Sequence, residues 1–514
     1  AIGYSGDLNW LALGCAAALI TAVPLYYLVD RATLLGWDNV RAELIQRRTF
    51  DLLLRSVTLA AVVTALCVII GVAAAWLVVR SDVRGRRVWQ VVLTLPLAIP
   101  SYAAAYAWIS WRPAIPPFAG SVLVLTLVSY PYVFLPVAAA LRRLDPAQEE
   151  VARSLGHRRI RVVLGLTVRQ VRPAIAAGGL LVALYVLSDF GAVATMRYEV
   201  FTFVIYGAYS AGFNPSRAAI LSLALVGVAL VLVLAESRVR GSSAYARIGG
   251  GVARRQVPMA LGRARPVATA LLGALFLVAI AFPAWRFTYW AREAIAVSVP
   301  MGDVGAALRN SLYVSLLAAV ATVLLAIPVG IVAGRFRSRA TIAVERTTYV
   351  AHALPGIVVA IALVFVGVRL LRPVYQEVPL LILAYVVLFL PLAVGSVRTA
   401  VEQSPIGLEE VARSLGGTRL RVLRTITVPL AAPALAGGAA LVFVTAMKEL
   451  PATLLLHPTG MDTLATRLWT FTSETNYAAG APYAAALVLF AAIPTALLSR
   501  FVVDRAVRHG DVVN

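Results

Sequence analysis

The chain has 514 residues, is 61% apolar with a mean hydropathy of +0.85, and carries a net charge of +22 from 46 Lys and Arg against 24 Asp and Glu. A composition this apolar excludes a water-soluble globular enzyme of that length and identifies lipid as the solvent. The basic excess lies in short loops between apolar runs and not on one face, which excludes a nucleic acid as partner.

A helix of about 20 apolar residues crosses a bilayer, and lipid forces such a run to satisfy its backbone internally. Twelve runs qualify: 8–28, 52–79, 88–110, 120–144, 174–195, 216–236, 266–283, 306–333, 343–370, 378–400, 432–456 and 480–503. They predict an all-α integral membrane protein of twelve transmembrane helices. The first run has no basic leader and no small-residue cleavage site, and reads as a membrane helix rather than a signal peptide. Prolines 96, 100, 131, 136, 328, 355 and 391 predict kinks. Cys15 and Cys67 sit in apolar runs, and the four histidines are scattered, with no spacing for a preformed metal site. Alternate loops hold 31 of the 46 basic residues and the opposite set 11, so the first set is expected in the cytoplasm, with both termini there.

Between the fourth and fifth runs lies a charged island, Glu149 to Arg169, reading EEVARSLGHRRIRVVLGLTVR. It returns 260 positions later as EEVARSLGGTRLRVLRTITVP, Glu409 to Pro429. With Leu95-Pro96 set against Leu354-Pro355, the chain divides into two parallel six-helix repeats. These are 1–236 with a polar loop at 145–172, and 266–514 with a loop at 402–430. Residues 237–265, rich in Gly, Ser and Arg, form a linker. Each island predicts a helix, with glutamates early where the dipole favours them and a small Ala and Gly allowing close approach or a turn. A passive loop has no need to repeat, so the islands are expected to touch a soluble partner.

Charges within the spans are few. Asp189 and Glu449 fall at equivalent repeat positions and are expected to face each other across the pseudo-axis, in a translocation path with Tyr185. Two carboxylates suit a hard cation held transiently at Asp189 and Glu449. Tyr206 and Tyr209 could add oxygens or simply pack, and Lys448 could instead pair with Glu449. Lys448 is the sole lysine, so the chain has no Gly-rich phosphate loop with its lysine, and energy must come from a partner or an ion gradient.

The spacing Glu410, Ala412, Gly416, Ile426, Val428, Pro429 resembles the loop signature of permease subunits of binding-protein-dependent ABC importers. The first copy matches at Glu150, Ala152, Gly156, Leu166 and Val168, with Arg169 in place of the proline. The strings LSDFGAVATM and MKELPATLLL, in one chain with two fused halves, are similar to ferric-iron permeases over roughly residues 50 to 510. The resemblance implies a type I importer fold. It also implies coupling to two copies of a cytoplasmic ATP-binding subunit, which holds ATP and Mg, through Glu149, Glu150, Ala152 and Gly156 and through Glu409, Glu410, Ala412 and Gly416. An extracytoplasmic binding protein would deliver the substrate, the outer segments 196–215 and 457–479 would help receive it, and the chain would sit in a bacterial plasma membrane. Thiamine, aminoethylphosphonate and polyamines are the alternative cargoes within that class. An ion-coupled secondary transporter is the alternative outside it.

Overall fold

The computed structural model describes residues 4–34, 36–144, 146–156, 159–212, 214–240, 258–296, 298, 300–335, 338, 341, 343–344, 347–348, 354–403 and 406–511. Helices account for nearly all of it, as lipid demands. The first is α1 (Tyr4–Leu34); after a short helix at Trp37–Ile45 comes α2 (Arg47–Arg80). After α2 the chain turns at Gly85 (φ 71°), passes a short helix and a 3-10 turn at Leu95–Ala98, and enters α3 (Ser101–Ile109). Next come α4 (Pro117–Ser129), α5 (Pro131–Arg143) and the short α6 (Pro146–Ser154) of the first island. A π-helical turn at Val163–Thr167 leads into α7 (Val168–Ser188), which is followed by α8 (Gly191–Thr195), α9 (Phe201–Ser210) and α10 (Pro215–Arg240).

The second series begins with α11 (Arg265–Phe276) and α12 (Phe282–Ala296), joined by a π-helical turn. It continues with α13 (Met301–Arg335), α14 (Gly356–Arg369), α15 (Val378–Gln403) and α16 (Ile406–Ser414) of the second island. A second π-helical turn, Leu423–Thr427, precedes α17 (Val428–Met447), α18 (Pro451–Leu456), α19 (Leu464–Ser473) and α20 (Tyr477–Asp511).

Among the described residues ten helices are long and apolar enough to span a bilayer, eleven if one bent pair counts as a span. The all-helical membrane class expected from the sequence holds, with ten to eleven of the twelve expected spans found among the described residues. The run 88–110 is not straight: its two pieces, Arg86–Ala98 and Ser101–Ile109, meet at 87°. Pro100 sits at the break in an extended conformation (φ −60°, ψ 146°), where it lacks the N–H that would continue a helix. Pro355 repeats that geometry (φ −60°, ψ 143°) before α14, which has only 14 residues. Part of the run 343–370 lies outside the described residues. A hydropathy window counts apolar residues and does not see a change of direction.

The repeat has two registers. Ser56 and Ser311, Arg80 and Arg335, and Pro100 and Pro355 are each 255 positions apart, whereas the islands and everything up to Asp189 and Glu449 are 260 apart. The structure thus sets Pro355 opposite Pro100, not Pro96. The second half carries five additional residues between Arg398 and Glu409.

Small residues bring the helices together, as is usual in lipid. A side chain on Gly71 of α2 would meet Val133 at 2.8 Å, one on Gly178 of α7 would meet the Tyr132 carbonyl at 2.8 Å, and one on Gly330 of α13 would meet Val397 of α15 at 2.5 Å. Large apolar side chains such as Leu19, Ile69, Leu316, Leu324 and Leu497 face outward, the girdle a bilayer would cover. Helix α1 packs on α10, α13 and α14, and so touches both halves.

The linker falls largely outside the described residues. Residues 237–240 continue α10, and the far end docks on the loop after α2. There the Met259 N–H donates to the Arg80 carbonyl (2.8 Å), the Asp82 N–H donates to the Met259 carbonyl (3.1 Å), and Arg265 pairs with Asp82. From there the helices of 262–296 lead away across the bilayer and α13 returns, each about 50 Å long for 35 residues. Arg335, at the end of α13, therefore stands on the same face as Arg80. Both islands are tied to these two arginines, so both project from one face.

Candidate functional site

Where α7 ends, Asp189 turns back on the neighbouring elements. Its Oδ1 accepts the Ala192 N–H (2.9 Å), and its other oxygen accepts the Ser101 hydroxyl from the first turn of α3. Its carbonyl accepts the Thr202 hydroxyl at 2.7 Å. Glu449 repeats the arrangement after α17: its Oε1 accepts the Ala452 N–H (3.1 Å), and its carbonyl accepts the Thr453 hydroxyl (2.5 Å). Each carboxylate lies against the start of a half-helix, Asp189 at Ser101 and Glu449 at Gly356, where the helix dipole favours a negative charge. A Cβ at Gly356 would stand 2.5 Å from Glu449 Oε1, so a side chain there would require the carboxylate to shift. Gly356→Val is expected to expel the Glu449 carboxylate at a cost of about 1–3 kcal/mol, read as a lowered Tm of the detergent-solubilised chain. An unchanged Tm would refute the contact.

The structure brings the predicted path residues together. Asp189 and Glu449 are near enough for their charges to interact, and Tyr185 stands beside Asp189 and Ser101, with its ring 5.5 Å from that of Tyr132. Three neighbours escaped the sequence reading. Tyr102, on α3, lies beside Glu449 with its buried hydroxyl unpartnered among the described residues. Tyr385 shares a 2.6 Å hydrogen bond with Thr453, and Ser101 carries the bond to Asp189. For Ser101 and Tyr102 the signal was the break at Pro100, read only as a kink; Tyr385 lies inside α15.

Lys448 does not pair with Glu449. Its Nζ donates to the Leu97 carbonyl at 2.5 Å, so the second half reaches into the 3-10 turn of the first. Tyr206 does not join the carboxylates either; its ring packs 4.7 Å from Phe190, whose other neighbour is Trp469 at 5.0 Å. Tyr209 stands beside Tyr375. Among the described residues no three His, Cys, Asp or Glu side chains converge.

Away from the islands, α9 and α19 begin alike. Ser56 of α2 accepts the Phe201 N–H (3.2 Å), and Ser311 of α13 accepts the Leu464 N–H (2.8 Å). Segments 196–215 and 457–479 thus take equivalent places, and Trp469 of the second packs on Phe190, just ahead of the first.

On the opposite face α6 and α16 form two matched knuckles. Both end at a glycine with φ +82°, Gly156 and Gly416, and neither has anything within 4 Å of where a Cβ would sit. The glycines therefore serve the turn and not close approach. After α16 the Gly417 N–H reaches the Ala412 carbonyl and the Gly416 N–H the Arg413 carbonyl, both at 3.0 Å, closing the helix end. Ala152 and Ala412 are half-buried against the body. Glu149 pairs with Arg80 and accepts the Thr167 hydroxyl (2.9 Å); Glu409 pairs with Arg335 (2.7 Å). Glu410 is exposed, while the Glu150 side chain lies outside the described residues. Arg169 occupies the first turn of α7 as Pro429 does that of α17, after the same π-helical turn, so losing the proline does not alter the segment.

The sequence reading also overlooked the apolar outer face of each knuckle. Val151 and Leu155 are 58% and 72% exposed, and Val411 and Leu415 are 58% and 82% exposed. They are the Val and Leu of EEVARSLG, identical in both copies, and lie one turn apart on one helical face.

A family model described as binding-protein-dependent transport system inner membrane component matches the chain twice, over residues 67–238 and 326–509. The chain is similar to the Fe(3+)-transport system permease protein FbpB 2 of Haemophilus influenzae, with 36% identity over 486 residues, covering 93% of this chain and 95% of the relative. It is also 30% identical to the molybdate/tungstate transport system permease protein WtpB of Pyrococcus abyssi, over 36% of this chain and 75% of the relative. The molybdenum transport system permease protein ModB of Mycobacterium tuberculosis is 30% identical over 44% of this chain and 92% of the relative.

Proposed function

The chain belongs to the family of binding-protein-dependent transport system inner membrane components, and from that premise we propose that it is the permease of an ATP-driven ferric-iron importer. The knuckles α6 and α16 dock two copies of a cytoplasmic ATP-binding subunit, which holds ATP and Mg. An extracytoplasmic binding protein delivers iron to α9 and α19, and the ion passes Asp189, Tyr185 and Glu449 between halves 1–236 and 266–514. The knuckle face and both termini lie in the cytoplasm, as the arginine-rich loops favour. The chain does no chemistry of its own: it binds, orients and admits.

One observation carries the reading: two matched helices present apolar, solvent-facing side chains on one side of a membrane chain. Such surface outside lipid is a docking face. Iron is favoured over an oxyanion because two buried carboxylates, Asp189 and Glu449, interact electrostatically, whereas the one buried lysine beside them, Lys448, is engaged by the Leu97 carbonyl. The near full-length likeness to an Fe(3+) permease supports the same choice.

The test is uptake of radiolabelled ferric iron into proteoliposomes that hold the full chain with the ATP-binding subunit and binding protein of its source cell. ATP-dependent uptake, unaffected by excess molybdate or thiamine, is the expected result. Uptake of molybdate or thiamine in place of iron would overturn the cargo assignment. A chain that brings down no ATP-binding subunit would overturn the importer reading.

A further inference from the structure

The two adjacent glutamates of the second knuckle have different surroundings. Successive helical residues point about 100° apart, so one of a pair can face the body while the next faces solvent. Glu409 is 11% exposed at its side chain and turned inward, whereas Glu410 is exposed. Glu149 is likewise turned inward. Their partners are not on the knuckles. Arg80 is the last residue of α2 and Arg335 the last of α13, at equivalent repeat positions, and both are largely buried. The same ion pair thus occurs twice, between a protruding helix and the end of a membrane-crossing helix.

The first pair is joined to more of the fold. The Thr167 hydroxyl, in the π-helical turn before α7, donates to Glu149, and α7 runs to Asp189. The Arg80 carbonyl accepts the Met259 N–H of the linker. Arg80 and Glu149 therefore join knuckle, span, path helix and linker at one point. The second pair is joined by Arg413, 3.5 Å from Glu409.

Resting on the coupling role proposed above, we propose that Arg80 and Arg335 are positioning residues that bind Glu149 and Glu409 and make each knuckle move as one body with α2 or α13. The outer glutamate and the apolar face meet the ATP-binding subunit; the inner glutamate passes the displacement to the membrane helices. A helix joined to the body by two flexible loops alone would swing without moving the gate. A charge-assisted pair between part-buried groups resists that slack.

The test uses the full chain in two settings. In detergent, without a partner, hydrogen exchange of the amides in 146–154 is expected to speed up in Arg80→Glu and to return toward wild type in the swap Arg80→Glu with Glu149→Arg. The swap belongs in the first half, because Arg413 would face an arginine placed at 409. In proteoliposomes with the ATP-binding subunit and binding protein, Arg80→Glu and Arg335→Glu are expected to retain co-purification of the ATP-binding subunit. Ferric iron moved per ATP hydrolysed is expected to fall about tenfold, and the first-half swap to restore it. Unchanged exchange, an unchanged transport-to-hydrolysis ratio in both variants, or a swap as poor as the single reversal would each overturn the proposal. Failure of the wild-type chain to bring down any ATP-binding subunit overturns the importer reading and the proposal with it. That failure is recognisable because the exchange result is obtained on the chain alone.

Discussion

Asp189→Asn combined with Glu449→Gln is expected to lower ferric uptake at least about a hundredfold, or about 3 kcal/mol of barrier, while the chain still assembles with its partner. The amide oxygens can still accept the N–H groups of Ala192 and Ala452, now 2.9 Å and 3.1 Å from the carboxylates, so both caps survive. The charge is lost, together with the acceptor that Asp189 offers the Ser101 hydroxyl. A multivalent cation leaving water for a low-dielectric passage depends on that charge, since no other acidic side chain among the described residues completes a cluster with these two. Radiolabelled uptake, alongside co-purification, reads both halves of the prediction. Uptake within twofold of wild type would remove the pair from the path and leave it the work of capping the short helices that follow.

Leu155→Asp combined with Leu415→Asp should abolish binding of the ATP-binding subunit. Each leucine is exposed on its knuckle and contributes nothing visible to the chain's own core. A charge placed at the centre of a docking surface costs about 2 kcal/mol or more per site, and two sites together weaken assembly about a thousandfold. Helix content of the solubilised chain should stay as in wild type, because neither side chain is buried. Full recovery of the ATP-binding subunit with the double variant would show that the docking surface lies elsewhere.

The fold class and the knuckles were legible because both are written in local pattern. Apolar run length reports lipid, and a string repeated at 260 positions reports a repeated object. What stayed hidden depends on direction. Pro100 and Pro355 were read as kinks, yet each removes an N–H at a point where the chain turns, and one run became two helices at 87°. Matching dipeptides paired Pro355 with Pro96, because five residues separating the registers of the two halves do not show in a single comparison. The carboxylates were found by their cost in lipid. Tyr102, Tyr385 and Ser101 were not, because a tyrosine or serine in an apolar run is ordinary until its neighbours are known. For Lys448 the sequence offered the acid beside it as an alternative partner, whereas the Leu97 carbonyl, which accepts its hydrogen bond, is 351 positions away. Sequence also named Glu409 and Glu410 together; only a helix with an inside and an outside separates them.

Helix α1 carries a consequence for biosynthesis. Its buried face includes Ala17, Thr21 and Leu28, and Gly14 fits against Val329 and Val332 of α13. Those partners are translated roughly 300 residues after α1, and at about 5–20 residues per second the ribosome needs about 15–60 s to reach them. Throughout that interval the first helix waits in the bilayer with its small-residue surface uncovered, until the nascent chain has threaded most of its spans. Membrane insertion is therefore expected to close late and around α1, and a ribosome stalled before Met301 would leave an inserted but unfinished bundle, a substrate for membrane proteases.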